Sequence, residues 1–321
     1  TKNELRGMIM RKIAFLFPGQ GSQQVGMGKE LADANKAVNG FFEKADEVLG
    51  ESLSTTIFEG PQEKLTLTVN AQPALLTTSI AILDYFKQSG ITADYVAGHS
   101  LGEYSALVAA GALSFEDGVY AVRKRGELME KAVPNGEGTM AAVLGLGREP
   151  LTAVCDAITE AGDPVQLANL NCPGQIVISG SKKGVEIAAV KAKEAGAKRV
   201  LPLNVSGPFH SALMKPAAEE FQGILDGLEI QSAKIPVIAN VTAEAMQDAT
   251  EIKEKLIQQL YSPVLWEDSV HKMLEQGVDT FVEIGPGKVL AGLVKKVDRA
   301  VKTYAVYDLA SCEAVISELK E

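Results

Sequence analysis

The feature that most narrows what this chain can fold into is a turn, Gly98-His99-Ser100-Leu101-Gly102, with the apolar run DYVAG before it (94–98) and a helical stretch after it (101–110). A strand that gives way to a helix within so few residues needs backbone packed more closely than side chains allow, and glycine at both flanks supplies it. Strand followed directly by helix points to α/β layering, with the strand buried beneath helices. At the apex the serine oxygen projects from the sheet edge. Beside it lie the free N–H groups and partial positive charge of a helix start. Those surroundings suit a serine that becomes acylated and passes through an oxyanion.

A serine hydroxyl needs a base at neutral pH, usually an imidazole, and the chain has three histidines, His99, His210 and His271. His99 adjoins the serine on so tight a turn that its side chain points away, which predicts a supporting role. His271 sits in the charged helical segment VHKM and reads as a solvated surface residue. His210 ends the loop Ser206-Gly207-Pro208-Phe209-His210 after a predicted strand, and such loops favour functional residues. His210 is therefore the candidate base.

The rest of the chain divides by rhythm. Residues 11–17 (RKIAFLF) form an apolar run stopped by Pro18-Gly19, a buried strand feeding a loop. Residues 70–88 read as a buried helix with Asn70 as cap and Pro73 near its start. Ser114 opens another helix, with Asp117 in capping-box position and an apolar stripe of Phe115, Val119, Val122, Met129 and Val133. From residue 139 the order becomes strand (139–146), helix (149–161), strands (165–171 and 175–180), helix (182–194) and strand (198–205), with a Cys172-Pro173-Gly174 turn between the central strands. That β-α-β-β-α-β order is the ferredoxin-like motif. Further strands are expected at 235–241, 279–284 and 302–306. The expected architecture is an α/β domain, residues 10–136 and 207–321, carrying an inserted ferredoxin-like subdomain, residues 137–206. Residues 1–9 read as a leader or tag remnant, since they lack the apolar core of a secretory signal.

Two glycine-rich loops fail as phosphate cradles. Pro18-Gly19-Gln20-Gly21-Ser22-Gln23 has Gln24 where a third glycine would fall, and Gly285-Pro286-Gly287-Lys288 lacks the P-loop spacing. A loop of the first kind, at the C-terminal end of a strand, can instead offer a backbone N–H to an oxyanion. On the Ser114 helix, Arg123 and Arg125 flank the apolar stripe on opposite sides, and helical geometry alone does not choose between them.

Composition sets the remaining bounds. With 31 basic and 41 acidic residues the net charge of −10 argues against a nucleic-acid surface over the whole protein. No apolar stretch reaches the roughly 18 residues of a membrane span. Cys155, Cys172 and Cys312 are too few and too scattered for a disulfide framework, which fits a cytoplasmic protein. No metal-ligand spacing stands out.

Taken together, FPGQGSQ (17–23), GHSLGEYSAL (98–107), KRGELM (124–129), GPFH (207–210) and EIGPGKVL (283–290) closely resemble the malonyl-CoA:acyl carrier protein transacylases of fatty acid synthesis. The resemblance runs in order from about residue 10 to about residue 300 and implies an α/β-hydrolase-like domain with a ferredoxin-like insertion. It implies malonyl transfer from malonyl-CoA to the phosphopantetheine thiol of acyl carrier protein by a ping-pong route, with no permanently bound cofactor. Carried over by position, Ser100 is acylated and His210 is base and acid. The backbone carbonyl of Gln259 stands in for a triad carboxylate, and the N–H groups of Gln20 and Leu101 form the oxyanion hole. The family's Arg-Gly pair selects Arg125 for the malonyl carboxylate, and Phe209 matches a pattern that limits branching of the acyl group. A serine hydrolase shares GxSxG and a histidine; Arg125 and FPGQGSQ favour transfer. Carrier proteins are acidic, so docking calls for local positive potential, with Lys198, Arg199, Lys295, Lys296 and Arg299 as candidates.

Overall fold

The computed structural model describes residues 11–321. The leader reading for residues 1–9, and residue 10 at the expected domain start, lie outside the described residues. In chain order the strands are β1 Ile13–Phe17, β2 Tyr95–Gly98, β3 Gly138–Leu144, β4 Val165–Cys172, β5 Gln175–Ser181, β6 Arg199–Pro202, β7 Val237–Ile238, β8 Ala245–Met246, β9 Thr280–Ile284 and β10 Lys302–Val306. The helices that bear on the site are α1 Thr68–Lys87, α2 Gly102–Ala109, α3 Phe115–Ala132, α4 Arg148–Glu160, α5 Lys182–Glu194 and α6 Ala249–Gln259.

The protein is α/β. One sheet runs β10-β9-β1-β2-β7-β8, parallel except where β8 returns against β7. β1 and β9 are buried at every residue, as inner parallel strands covered on both faces must be. α1 lies against the sheet and is buried along almost its whole length. The second sheet, β4-β5-β3-β6, is antiparallel. With α4 and α5 it encloses its own core of Val143, Leu151, Cys155, Ile158, Ile176, Ile178, Val185 and Ala188. The second sheet is tied to the rest of the chain at β4, where Leu170 N–H donates to the Val264 carbonyl at 2.9 Å and Val264 N–H to the Ala168 carbonyl at 2.7 Å.

Most expected boundaries agree with the structure to within two residues. Three differ for physical reasons. α1 begins at Thr68, so Asn70 lies inside the helix rather than capping it, and its amide donates to the Lys64 carbonyl at 2.9 Å. β6 ends at Pro202, where the chain leaves for the Gly/Pro loop. β7 covers only Val237 and Ile238, because the chain turns back from Ala239 (N–H to Glu244 carbonyl, 3.0 Å) through Ala243 at φ 57° into β8. The Asn240 side chain takes over the bond β7 would have made, its amide donating to the Gly98 carbonyl at 2.7 Å.

Adjacent parallel strands β1 and β2 position the site. Their ends align, Phe17 opposite Gly98, so the Pro18 loop and the serine turn leave the same edge side by side. Packing there excludes side chains: a Cβ on Gly98 would lie 1.8 Å from the Gly102 carbonyl oxygen, and one on Gly102 2.1 Å from that of Phe17.

Candidate active site

Ser100 and His210 face each other, Ser100 Oγ lying 2.7 Å from His210 Nε2. Both are in left-handed backbone, φ 54° and 58°, a conformation that costs a residue with a Cβ about 1–3 kcal/mol and is kept only where its surroundings impose it. Bonds from both sides impose it here. Ser100 N–H donates to Asn240 Oδ1 at 2.8 Å, and the Gln259 amide donates to the Ser100 carbonyl at 2.9 Å. The His210 loop is held from the second sheet, where the Gln166 amide on β4 donates to the His210 carbonyl at 3.3 Å and accepts from Ala212 N–H at 2.9 Å.

His210 Nδ1 is 2.8 Å from the Gln259 carbonyl. A carbonyl only accepts, so it fixes the proton on Nδ1 and leaves Nε2 free to take one from the serine. Burial, and then the nearby positive charge of Arg125, push the His210 pKa down to about 3. The imidazole is therefore neutral, the form a base requires.

Arg125 is 1% exposed, whereas Arg123 lies near the surface and pairs with Glu51. The Arg125 guanidinium donates to Gln72 Oε1 at 2.9 Å, to Gln259 Oε1 at 2.8 Å and to Ser100 Oγ at 3.2 Å. All three partners are neutral. Burial lowers its pKa, but a guanidinium remains a cation under any working condition. A desolvated positive charge thus stands beside the Ser100 hydroxyl, suited to an anionic group.

Among the described residues, no hydrogen-bond partner is found for the backbone N–H of Gln20 or of Leu101, which lie on the adjoining loop and at the start of α2. The Gln20 side chain donates to Thr68 Oγ1 at 3.0 Å, tying its loop to α1. A cavity of about 620 Å³ lined by Gln20, Thr68, Glu130, Asn204 and Ser206 opens beside it. Phe209 is buried next to His210, its ring against Gly207.

Other singled-out residues fall elsewhere. His99 turns away from the nucleophile to Asn171 Oδ1 (2.8 Å) and packs on Trp266, while His271 is on the surface beside Glu267. The Gly285 turn packs against Pro18, and Glu283 accepts from Ala291 N–H at 2.9 Å in the following helix. Lys198 and Arg199 are exposed at the edge of the second sheet; Lys296 and Arg299 are exposed near the end of the helix Val289–Val297, and Lys295 bonds the Arg299 and Val301 carbonyls.

Sequence reasoning missed the polar floor: Gln72, Glu103, Asn240 and the side chain of Gln259. Glu103 is wholly buried, accepting from Asn240 N–H at 3.3 Å and from the Gln259 amide at 3.1 Å. Burial raises its pKa to about 8. One signal was available, since Glu103 is the single charge in the apolar run 101–113. Such a residue is buried with partners or not buried at all.

A nucleophile elbow, an imidazole oriented by a carbonyl and a buried guanidinium are the parts of a serine acyltransferase. The acyl transferase domain family matches residues 14–316, and the chain belongs to that family. It is 65% identical over 312 residues, 97% of this chain and 98% of the other, to the malonyl CoA-acyl carrier protein transacylase of Bacillus subtilis. It is 47% identical to the Staphylococcus aureus protein of the same name, over 94% of this chain and 97% of that one. Among solved structures, an acyl carrier protein S-malonyltransferase from Vibrio cholerae superposes with a TM-score of 0.92 at 49% identity, covering 95% of this chain and 99% of that one. A malonyl-transacylase in complex with a type II PKS acyl-carrier protein superposes with a TM-score of 0.93 at 44% identity, covering 96% and 99%.

Proposed function

We propose that this chain transfers the malonyl group of malonyl-CoA to the phosphopantetheine thiol of acyl carrier protein through a malonyl ester of Ser100, supplying units for fatty acid synthesis. The observation that carries the reading is the contact of Ser100 Oγ with both His210 Nε2 and the Arg125 guanidinium. In the first half-reaction His210 takes the serine proton as Oγ attacks the thioester carbonyl. The N–H groups of Gln20 and Leu101 receive the oxyanion, where each such donor is worth about 3–4 kcal/mol. The tetrahedral intermediate expels CoA thiolate, which leaves with the proton from His210. In the second half the carrier thiol gives its proton to His210 and attacks the malonyl ester, and His210 returns that proton to Ser100. Arg125 holds the free carboxylate in a charge-assisted pair, and the Phe209 ring limits substitution at the neighbouring carbon.

The strand order β4-β5-β3-β6, with α4 and α5 as the two crossovers, supports a ferredoxin-like subdomain at residues 137–206. The parallel sheet and its elbow support an α/β-hydrolase-like domain for the remainder. Three unpaired, buried cysteines favour a cytoplasmic protein, and no described helix is long and apolar enough to cross a membrane.

The function is tested by incubating the protein with labelled malonyl-CoA. A label held on Ser100 that moves to carrier protein is the expected result. Prompt release of free malonate would mark a serine hydrolase instead. Docking of the acidic carrier protein is assigned to Lys198, Arg199, Lys295, Lys296 and Arg299. Reversing all five charges should raise the apparent KM for carrier protein at least about tenfold at low salt; an unchanged value removes the patch.

A further inference from the structure

The Arg125 guanidinium bonds only neutral groups, yet a buried cation needs a counter-charge. The carboxyl enclosed with it is Glu103, one amide away: Gln259 Oε1 accepts from Arg125 at 2.8 Å, and Gln259 Nε2 donates to Glu103 Oε2 at 3.1 Å. Around Glu103, α2 contributes Tyr104, α3 Arg125, α6 Gln259 and the turn after β7 Asn240. Arg125 is the one charged group of these four. Burial lowers the pKa of both imidazoles of the site, that of His210 to about 3. No other carboxylate joins this hydrogen-bonded cluster among the described residues.

We propose that Glu103 is a positioning and specificity-setting residue that governs how much of the Arg125 charge is left for an acyl carboxylate. Protonated, it leaves the guanidinium to the substrate. Ionised, it opposes a second carboxylate in the same dry pocket and weakens binding of acyl groups that carry one. The proton comes from solvent, and no bond other than the carboxyl O–H forms or breaks. An acetyl group carries no charge for Glu103 to oppose.

The sign follows from linkage. Burial raises the Glu103 pKa to about 8, and an added carboxylate raises it further, so malonyl affinity falls as pH rises through the free-enzyme value. This inference rests on the malonyl reading above. Its test is Ser100 acylation by labelled malonyl-CoA and acetyl-CoA in single turnover from about pH 6.5 to 9.5, which involves no carrier thiol. For the parent, half-saturation with malonyl-CoA should rise about five- to tenfold between pH 7 and pH 9 while that with acetyl-CoA stays level. In Glu103→Gln, which is neutral throughout, the malonyl curve should also stay level. Parallel rises for the two thioesters in the parent would overturn the proposal without need of a variant, as would a malonyl rise kept by a folded Glu103→Gln. If malonyl-CoA fails to acylate Ser100 at any pH, the function falls and this inference with it; acylation with a level malonyl curve in the parent sinks this inference alone.

Discussion

His210→Ala is expected to form malonyl-Ser100 roughly 10³- to 10⁶-fold more slowly than the parent, measured as label incorporated in a single turnover. The imidazole lies 2.7 Å from the hydroxyl as the proposed proton acceptor, and no other base approaches it among the described residues. A folded variant within about tenfold of the parent rate would strip His210 of that role. The same residue fixes a pH dependence. Its pKa lies near 3 rather than 6.5, because burial and then Arg125 disfavour the imidazolium. The base form therefore persists as pH falls, and acylation should hold its rate down to about pH 5 instead of declining through the ordinary histidine range. Folding behaves differently. The unfolded chain takes up a proton near pH 6.5 that the folded chain refuses until about pH 3, so stability is lost progressively as pH drops across that window. Acid should thus lower Tm before it silences the base. A titration of Tm alongside the acylation rate checks both halves.

Arg125→Ala should lower malonyl transfer by about 10²- to 10³-fold or more, since the substrate carboxylate would be desolvated without a partner, a loss of roughly 3–5 kcal/mol. Acetyl transfer should fall far less, shifting selectivity toward the uncharged group. The variant also strands the Gln72 and Gln259 side-chain oxygens that the guanidinium satisfies, but that cost is common to both substrates. Equal losses for malonyl- and acetyl-CoA would make Arg125 a structural residue.

The elbow was legible because its constraint is local: two glycines are required where carbonyls approach to about 2 Å of any added Cβ. The β-α-β-β-α-β order was legible because each element has its own period and its own turn chemistry. Arg123 and Arg125 were not separable from the helix that bears them. Which one is buried depends on α1, from which Gln72 reaches Arg125, and on Glu51, which claims Arg123. The polar floor was hidden for the same reason. Asn240, Gln259 and Glu103 come from distant points of the chain, and only the turn that shortens β7 brings Asn240 under Ser100. Overlooking that turn also made β7 too long in the sequence reading. A residue that bonds across 140 positions leaves no spacing to find.

Gln166 belongs to the small sheet, yet its amide holds the backbone just after His210, at the His210 carbonyl and the Ala212 N–H, while the serine stands on the large sheet. The base is thus braced twice, by the Gln259 carbonyl at Nδ1 and by Gln166 at its backbone. A shift of the small sheet would reach the gap between donor and acceptor through the Gln166 side chain.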